Sequence, residues 1–413
     1  MAVATATRCR SCGGGDLRVF LSLGDMPLPD GFRRADQLEL DEPRYPLEAA
    51  LCTSCSLVQI LGDVPPTELF VDNYLYYSSF AEELVQRSKE YAQEMTRRRG
   101  LGPESWVVEV ASNDGYLLRH FVELGVPVLG IDPAPGQAER ANEIGVLTLP
   151  AFFDEELAKQ LIADRGRRAD LVAANNVMAH TPALNSFAAG LAQIIATDGV
   201  ATIENTYVRD LIANLAFDTI YHEHFSYFSC TAVSNLMRRH GLTLNHVDSL
   251  PSVQGGSLRW TVSHSTEVDE TAKAYLDAEI EEGVTSFDYY ADFGRRVESL
   301  REELRTALRV LRQEGARIAA YGAAAKGTIL LNAVGIDDSL IDYVVDRNVH
   351  KHGLYMPGVP VLIRPVETLV EDRPDYVLLL AWNYRDEVIA QQHEYLAGGG
   401  KLIVPVPTVE IVG

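Results

Sequence analysis

Four of the chain's five cysteines stand as two tight pairs, Cys9 with Cys12 and Cys52 with Cys55. Two such knuckles bring four thiolates within tetrahedral reach of one ion, and zinc is the ion that sulfur ligands in this number select. Gly13 directly after the first pair suits a knuckle turn, whereas a bare thiol pair or a redox couple requires neither that glycine nor a second pair. A four-sulfur site leaves no open coordination position, so the predicted role of this Zn2+ is structural. Residues 1–66 otherwise read as short strands and turns, too small for a core of their own, and a metal staple is what such a segment needs.

Length and charge bound the rest. At 413 residues the chain exceeds what a single core supports, so several domains are expected. The formal charge of -22 repels a phosphate backbone unless a basic face is segregated, which weakens the nucleic-acid adaptor role that a zinc ribbon would otherwise suggest. Arg97, Arg98 and Arg99 read as a solvated helix end, and Cys230, set among aromatics, as a small buried apolar residue. The N-terminus lacks the apolar core of a signal peptide, and no stretch approaches the roughly twenty apolar residues of a membrane span. The expectation is a cytoplasmic enzyme with neither membrane nor nucleic acid as partner.

From Trp106 to His264 short apolar strands alternate with helical stretches, the pattern of a doubly wound, mainly parallel α/β sheet. With the helical segment before it, this unit is assigned to residues 67–264. Residues 265–314 are strongly charged with apolar positions at helical spacing, a helical connector. A second α/β unit fills residues 315–413, so the chain carries two Rossmann-like units.

The first strand of the first unit ends in Glu109 and passes through Ala111, Asn113 and Gly115 into a helix beginning at Tyr116 and Leu117. Small residues let the backbone approach a ligand, and a helix start presents free N–H groups. Asp132, 23 positions past Glu109 at the end of the next strand, is spaced to hold the two hydroxyls of a ribose. Ala111 and Asn113 occupy places where a dinucleotide loop has glycine, which crowds a pyrophosphate but not a methionine tail. The loop resembles the first motif of the class I S-adenosylmethionine methyltransferases. That resemblance implies S-adenosyl-L-methionine as cofactor, held by residues 109–117, Asp132 and Asn175, with Phe153 beside the adenine.

Asn175 and Asn176 follow the fourth strand at the carboxyl edge, where open α/β sheets bind ligands, and a helical turn would put Asn176 and His180 on one face. Further on, Tyr221, His222, Glu223 and His224 gather a phenol, an acid and two imidazoles. Such a group offers a base, an orienting carboxylate and a donor. An extended strand would place His222 and His224 on one face, which leaves a second metal open.

Taken together, the cysteine pairs, the Tyr76 to Ser79 stretch, the 109–115 loop, residues 176–180 and 221–224, and the Tyr-Gly-Ala-Ala-Ala-Lys-Gly run at 321–327 resemble the nucleoside-diphosphate-sugar C-methyltransferases that build branched deoxysugars for antibiotics. The resemblance spans nearly the whole chain; residues 204–208 are the segment without a match. It implies a (d)TDP-4-keto-deoxyhexose as substrate, methylated beside the ketone at C3. It further implies His224 as base, Glu223 as its orienter, Tyr221, Asn176, His180 and Tyr76 around the ketone, and Tyr77 and Ser78 on the substrate.

The second unit then needs a purpose. Its Tyr321–Gly322 turn, Lys326 and Arg347 are placed for the diphosphate of a sugar nucleotide. Asp346, 24 positions past Gly322, repeats the ribose-acid spacing and keeps an NADPH site open. The alternative expectation is therefore a 4-ketoreductase, or a protein performing both reactions.

Overall fold

The computed structural model describes residues 4–64, 77–251, 253 and 255–413. Tyr76, expected near the ketone, lies outside them.

The first unit is a seven-stranded sheet in the order Thr243–Leu250, Ser257–Ser263, Ile195–Thr206, Ala169–Asn175, Val107–Val110, Val128–Ile131, Thr148–Leu149. The last five run parallel, while Ser257–Ser263 is antiparallel to both of its neighbours. A first strand at the centre and a reversed final strand inserted near one edge make this the class I methyltransferase arrangement. Val107–Val110 is buried at every position because helices cover both faces of a parallel sheet. Helix Glu82–Arg99 lies over this unit and stops at Gly100, whose left-handed backbone (φ 61°) closes the last turn on Thr96. Arg97, Arg98 and Arg99 occupy that last turn, where cations suit the helix dipole.

The second unit is a six-stranded sheet, Ile363–Arg364, Val344–Val345, Ile318–Tyr321, Tyr376–Leu379, Lys401–Val404, Glu410–Val412, parallel except for the last strand. Helix Phe293–Gln313 joins the units. Phe293, Val297, Leu300, Leu304 and Leu308 recur at helical spacing and are all buried. Arg301 and Arg305 on the same helix donate to the Ala333 and Val334 carbonyls at 2.6 Å each, covering the end of helix Ala325–Val334.

The N-terminal segment forms a four-stranded antiparallel sheet, Leu17–Pro27, Arg44–Cys52, Val58–Ile60 and, from the first unit, Ser226–Tyr227. Phe20, Leu47 and Ile60 share one apolar cluster with Phe293 of the connector and Leu330 of the second unit. The small sheet is thus packed into the body of the protein. It borrows a strand from one Rossmann-like unit and a core from the other.

Candidate active site and metal centre

The thiol sulfurs of Cys9, Cys12, Cys52 and Cys55 lie within 4.8 Å of one another. Cys9 to Cys55 and Cys12 to Cys52 are each 3.5 Å, close to the roughly 3.8 Å that four sulfurs at tetrahedral zinc distance would show. Backbone N–H groups of Ser11, Cys12 and Gly14 point at these sulfurs, and Gly13 and Ser56 turn the two knuckles through left-handed backbone (φ 73° and 63°). The donor set fits zinc. Among the described residues no other cluster of His, Cys, Asp and Glu has this geometry.

In the cofactor loop, Ala111 and Asn113 adopt left-handed backbone (φ 58° and 48°), a conformation costing about 1–2 kcal/mol for residues other than glycine. Asp132 holds this loop in place: one carboxylate oxygen accepts from Asn113 N at 2.8 Å, the other from Ala134 N at 2.9 Å. Burial pushes the Asp132 carboxyl up to about 6, against those two hydrogen bonds. Glu109 is fully buried, and burial drives its carboxyl well above the ordinary range, with Asp132 and Asp114 adding to the rise and a hydrogen bond from Tyr116 opposing it. Gly115 (φ 78°) precedes the helix, which starts at Leu118 rather than at Tyr116. Tyr116 and Leu117 line a pocket with Asn175 and Asn176. Buried side-chain oxygens of Asp114, Asn175 and Asn176 lack hydrogen-bond partners among the described residues. These acceptors fit the ammonium group of an S-adenosylmethionine amino acid part.

Three expectations change here. Phe153 does not face this loop: it is buried edge-on against Phe187, 5.7 Å between ring centroids, and Phe152 is the exposed ring. Tyr77 and Ser78, expected on the substrate, lie against the 109–115 loop and the helix after Asp132. Ser78 N donates to Asn113 Oδ1 at 2.9 Å, and a Cβ at Gly136 would sit 3.5 Å from the Tyr77 hydroxyl.

The base candidate His224 is nearly buried and held at both nitrogens. Nδ1 lies 3.0 Å from the Thr219 carbonyl and Nε2 2.9 Å from the Tyr221 hydroxyl. A carbonyl can only accept, so Nδ1 carries the proton and Nε2 presents the basic lone pair. Burial lowers the His224 pKa well below its ordinary value, helped by nearby His180 and Lys326. The His180 ring meets His224 with centroids 4.6 Å apart; burial lowers its pKa to about 4, against a hydrogen bond to the Glu223 backbone. Asn176 precedes this group in left-handed backbone (φ 52°), its N–H on the Glu204 carbonyl at 2.7 Å. The helical turn beyond it covers only Met178–His180.

Glu223 is not the orienter of His224; the Thr219 carbonyl is. Burial, then the charge of Asp30, raises the Glu223 carboxyl well above the ordinary range, with Lys351 opposing. His222 and His224 do not share a face either. Residues 221–224 form a turn, closed by His224 N on the Tyr221 carbonyl, which sends His222 to the Tyr45 carbonyl at 3.2 Å on the opposite side. The two imidazoles thus bond different partners, and neither belongs to a cluster of three or more metal-ligating groups among the described residues. The turn is bolted down on two sides, by Ile60 N on the Phe225 carbonyl and by Phe225 N on the Ala179 carbonyl.

From the second unit, Lys326 Nζ donates to Asn383 Oδ1 at 2.9 Å and stands 4.7 Å from the Trp382 ring centre, within electrostatic reach of Asp218 and His224. Trp382 Nε1 donates to buried Asp218 at 2.7 Å, tying the second unit to the residues beneath His224. Asp346 accepts from Ala323 N and Asn348 N at 2.7 Å each. Tyr321 is buried with its hydroxyl on Gln391, while Arg347 is exposed and paired with Glu387.

Three family profiles match the chain: a zinc binding domain over residues 9–70, a methyltransferase domain over 83–247 and a C-methyltransferase C-terminal domain over 252–407. Among solved structures, the magnesium protoporphyrin IX methyltransferase of Synechocystis PCC 6803 with bound SAM is 13% identical, covering 47% of this chain and 85% of that one (TM-score 0.35). The PH0226 protein of Pyrococcus horikoshii OT3 is 14% identical, covering 49% of this chain and 99% of that one (TM-score 0.35). The C-methyltransferase NovU of Streptomyces niveus is 34% identical over 407 residues, 98% of this chain and 96% of that protein. An identity of this size over both whole chains, on an S-adenosylmethionine-binding methyltransferase fold with a four-cysteine zinc domain, means that the chain belongs to the C-methyltransferase family.

Proposed function

We propose that the protein methylates the carbon beside the ketone of a nucleoside-diphosphate 4-keto-deoxyhexose, at C3, in the making of a deoxysugar for an antibiotic. The observation that carries this reading is the seating of His224: Nδ1 rests on the Thr219 carbonyl, which turns Nε2 and its lone pair to the Tyr221 hydroxyl. A C–H bond becomes acidic enough for an imidazole only when the neighbouring carbonyl oxygen is stabilised as charge develops. In this reading Tyr221 turns its O–H from Nε2 to that oxygen, which frees the lone pair, and His180 packs beside the same ring. The bound cofactor supplies an electrophilic methyl group; the protein supplies the base, the donors and a site closed by Trp382 and Lys326 of the second unit.

The zinc has no part in this chemistry, and its four-sulfur shell suits a structural role in the cytoplasm. A reductase reading, with NADPH, draws on Asp346, whose hydrogen bonds copy those of Asp132. Incubation with a 4-keto-sugar nucleotide separates the two. Gain of a methyl group, seen by mass spectrometry and dependent on S-adenosylmethionine, is the expected result. NADPH consumption without methyl gain would overturn it.

A further inference from the structure

Glu204 lies near the end of strand Ile195–Thr206, in the segment for which the sequence offered no role, and is 2% exposed. One carboxylate oxygen accepts from Arg87 Nη2 at 3.2 Å, the other from Arg259 Nη2 at 2.7 Å. Arg259 stands opposite Glu204 on the neighbouring strand, and Arg87 reaches in from helix Glu82–Arg99. Glu204 is thus shared between two guanidiniums. Arg259 has further company: it lies 4.5 Å from the centre of the Tyr91 ring and sits in register with Asp248 on its other side. Arg87 has Glu204 as its one ion-pair partner among the described residues, so most of its N–H groups are uncommitted.

The two arginines line the same pocket as Tyr116, Leu117, Asn175 and Asn176. The pocket lining thus combines guanidinium groups with the unpartnered acceptor oxygens of Asn175 and Asn176. A phosphate would use the guanidiniums and leave the acceptors bare. A zwitterionic amino acid uses both.

We propose that Arg87, braced by Glu204 and through it by Arg259, receives the α-carboxylate of the methyl donor's amino acid part. This rests on S-adenosylmethionine being the cofactor. The planar guanidinium matches a carboxylate with two parallel hydrogen bonds, and Glu204 fixes the direction of the fork before the ligand arrives. Glu204 is accordingly a positioning residue.

The test is calorimetry on the full chain with two ligands, S-adenosylhomocysteine and 5′-methylthioadenosine, the second lacking the amino acid part. Arg87→Met should weaken S-adenosylhomocysteine about 10–100-fold, the loss of charge-assisted hydrogen bonds, and leave methylthioadenosine unchanged. Arg87→Lys should recover part of that loss. Glu204→Gln, which keeps the shape but not the charge, should weaken S-adenosylhomocysteine selectively and by less. Equal weakening of both ligands, or no weakening of either, overturns the proposal. So does an Arg87→Met variant that loses affinity for a nucleoside diphosphate instead, which would assign the fork to the sugar nucleotide. If the unaltered chain binds no S-adenosylhomocysteine, the cofactor assignment itself fails, a result distinct from any of these.

Discussion

The two Rossmann-like units close their nucleotide loops in the same way and do different things with them. In each, an aspartate at the end of the second strand accepts from an N–H of the loop after the first strand and from the N–H two positions beyond itself: Asp132 with Asn113 and Ala134, Asp346 with Ala323 and Asn348. In the first unit the loop carries non-glycine residues in left-handed backbone and a buried acid, Glu109, and it opens on unpartnered acceptors. In the second the turn is a glycine, Gly322 (φ 99°), where a Cβ would meet that of Ala381 at 2.8 Å. No acid stands on that strand, and Lys326 and Trp382 reach away from the loop to the His224 turn of the first unit. One unit keeps strain and buried charge for chemistry. The other lends it a wall.

The largest effect should come from the sheet that joins the two units. Structural zinc contributes on the order of 10 kcal/mol in small domains, and this sheet holds both the strand next to His224 and the core shared with the second unit. Cys12→Ser should therefore lower the midpoint of thermal unfolding sharply and reduce bound zinc measured by metal analysis. An unchanged melting profile would mean the sheet stands without its metal.

Next in size is His224→Ala, with turnover expected to fall about 10²–10⁴-fold, the usual contribution of a general base, while calorimetric affinity for either ligand stays put. Glu223→Gln should cost far less, because both nitrogens of the His224 ring are held by other groups. Comparable losses in the two variants would restore Glu223 as the partner of the imidazole.

The shared aspartates give the sharpest contrast. Asp132→Ala should weaken S-adenosylhomocysteine by about 1.5–3 kcal/mol, whereas Asp346→Ala should leave that affinity alone and affect sugar-nucleotide binding. Ribose hydroxyls donate to the ionised carboxylate, and protonation removes an acceptor. With the Asp132 carboxyl raised to about 6, cofactor affinity should hold above that pH and decline as pH falls through it. A flat pH profile by calorimetry, with Asp132→Asn no different, would contradict the assignment. The smallest effect belongs to the seam: Trp382→Phe strands the buried Asp218 oxygen it serves, at about 1–3 kcal/mol of stability by denaturant titration.

Both sheets and the metal site were legible in the sequence because each rests on a local pattern: apolar strands alternating with helical stretches, and two cysteine knuckles. The loop acids Asp132 and Asp346 followed from spacing alone. What failed depended on side-chain direction. A carboxylate next to a histidine in sequence suggested an orienter, but a tight turn points Glu223 toward Asp30 and Lys351 and leaves His224 to a main-chain carbonyl. Of two adjacent phenylalanines, the packing of Phe187 decided which went inside. The Arg87–Glu204–Arg259 group had no sequence signal, since its members come from a helix and two strands far apart in the chain.

The central claim is that His224 takes a proton from the carbon beside a ketone. Exchange of that proton with deuterated water, followed by NMR on a 4-keto-sugar nucleotide without methyl donor, isolates the step. The unaltered protein should catalyse exchange, and His224→Ala should slow it about 10²–10⁴-fold while binding the sugar nucleotide as before. Exchange at equal rates in both proteins would contradict the account, and the base would have to be sought elsewhere in the turn.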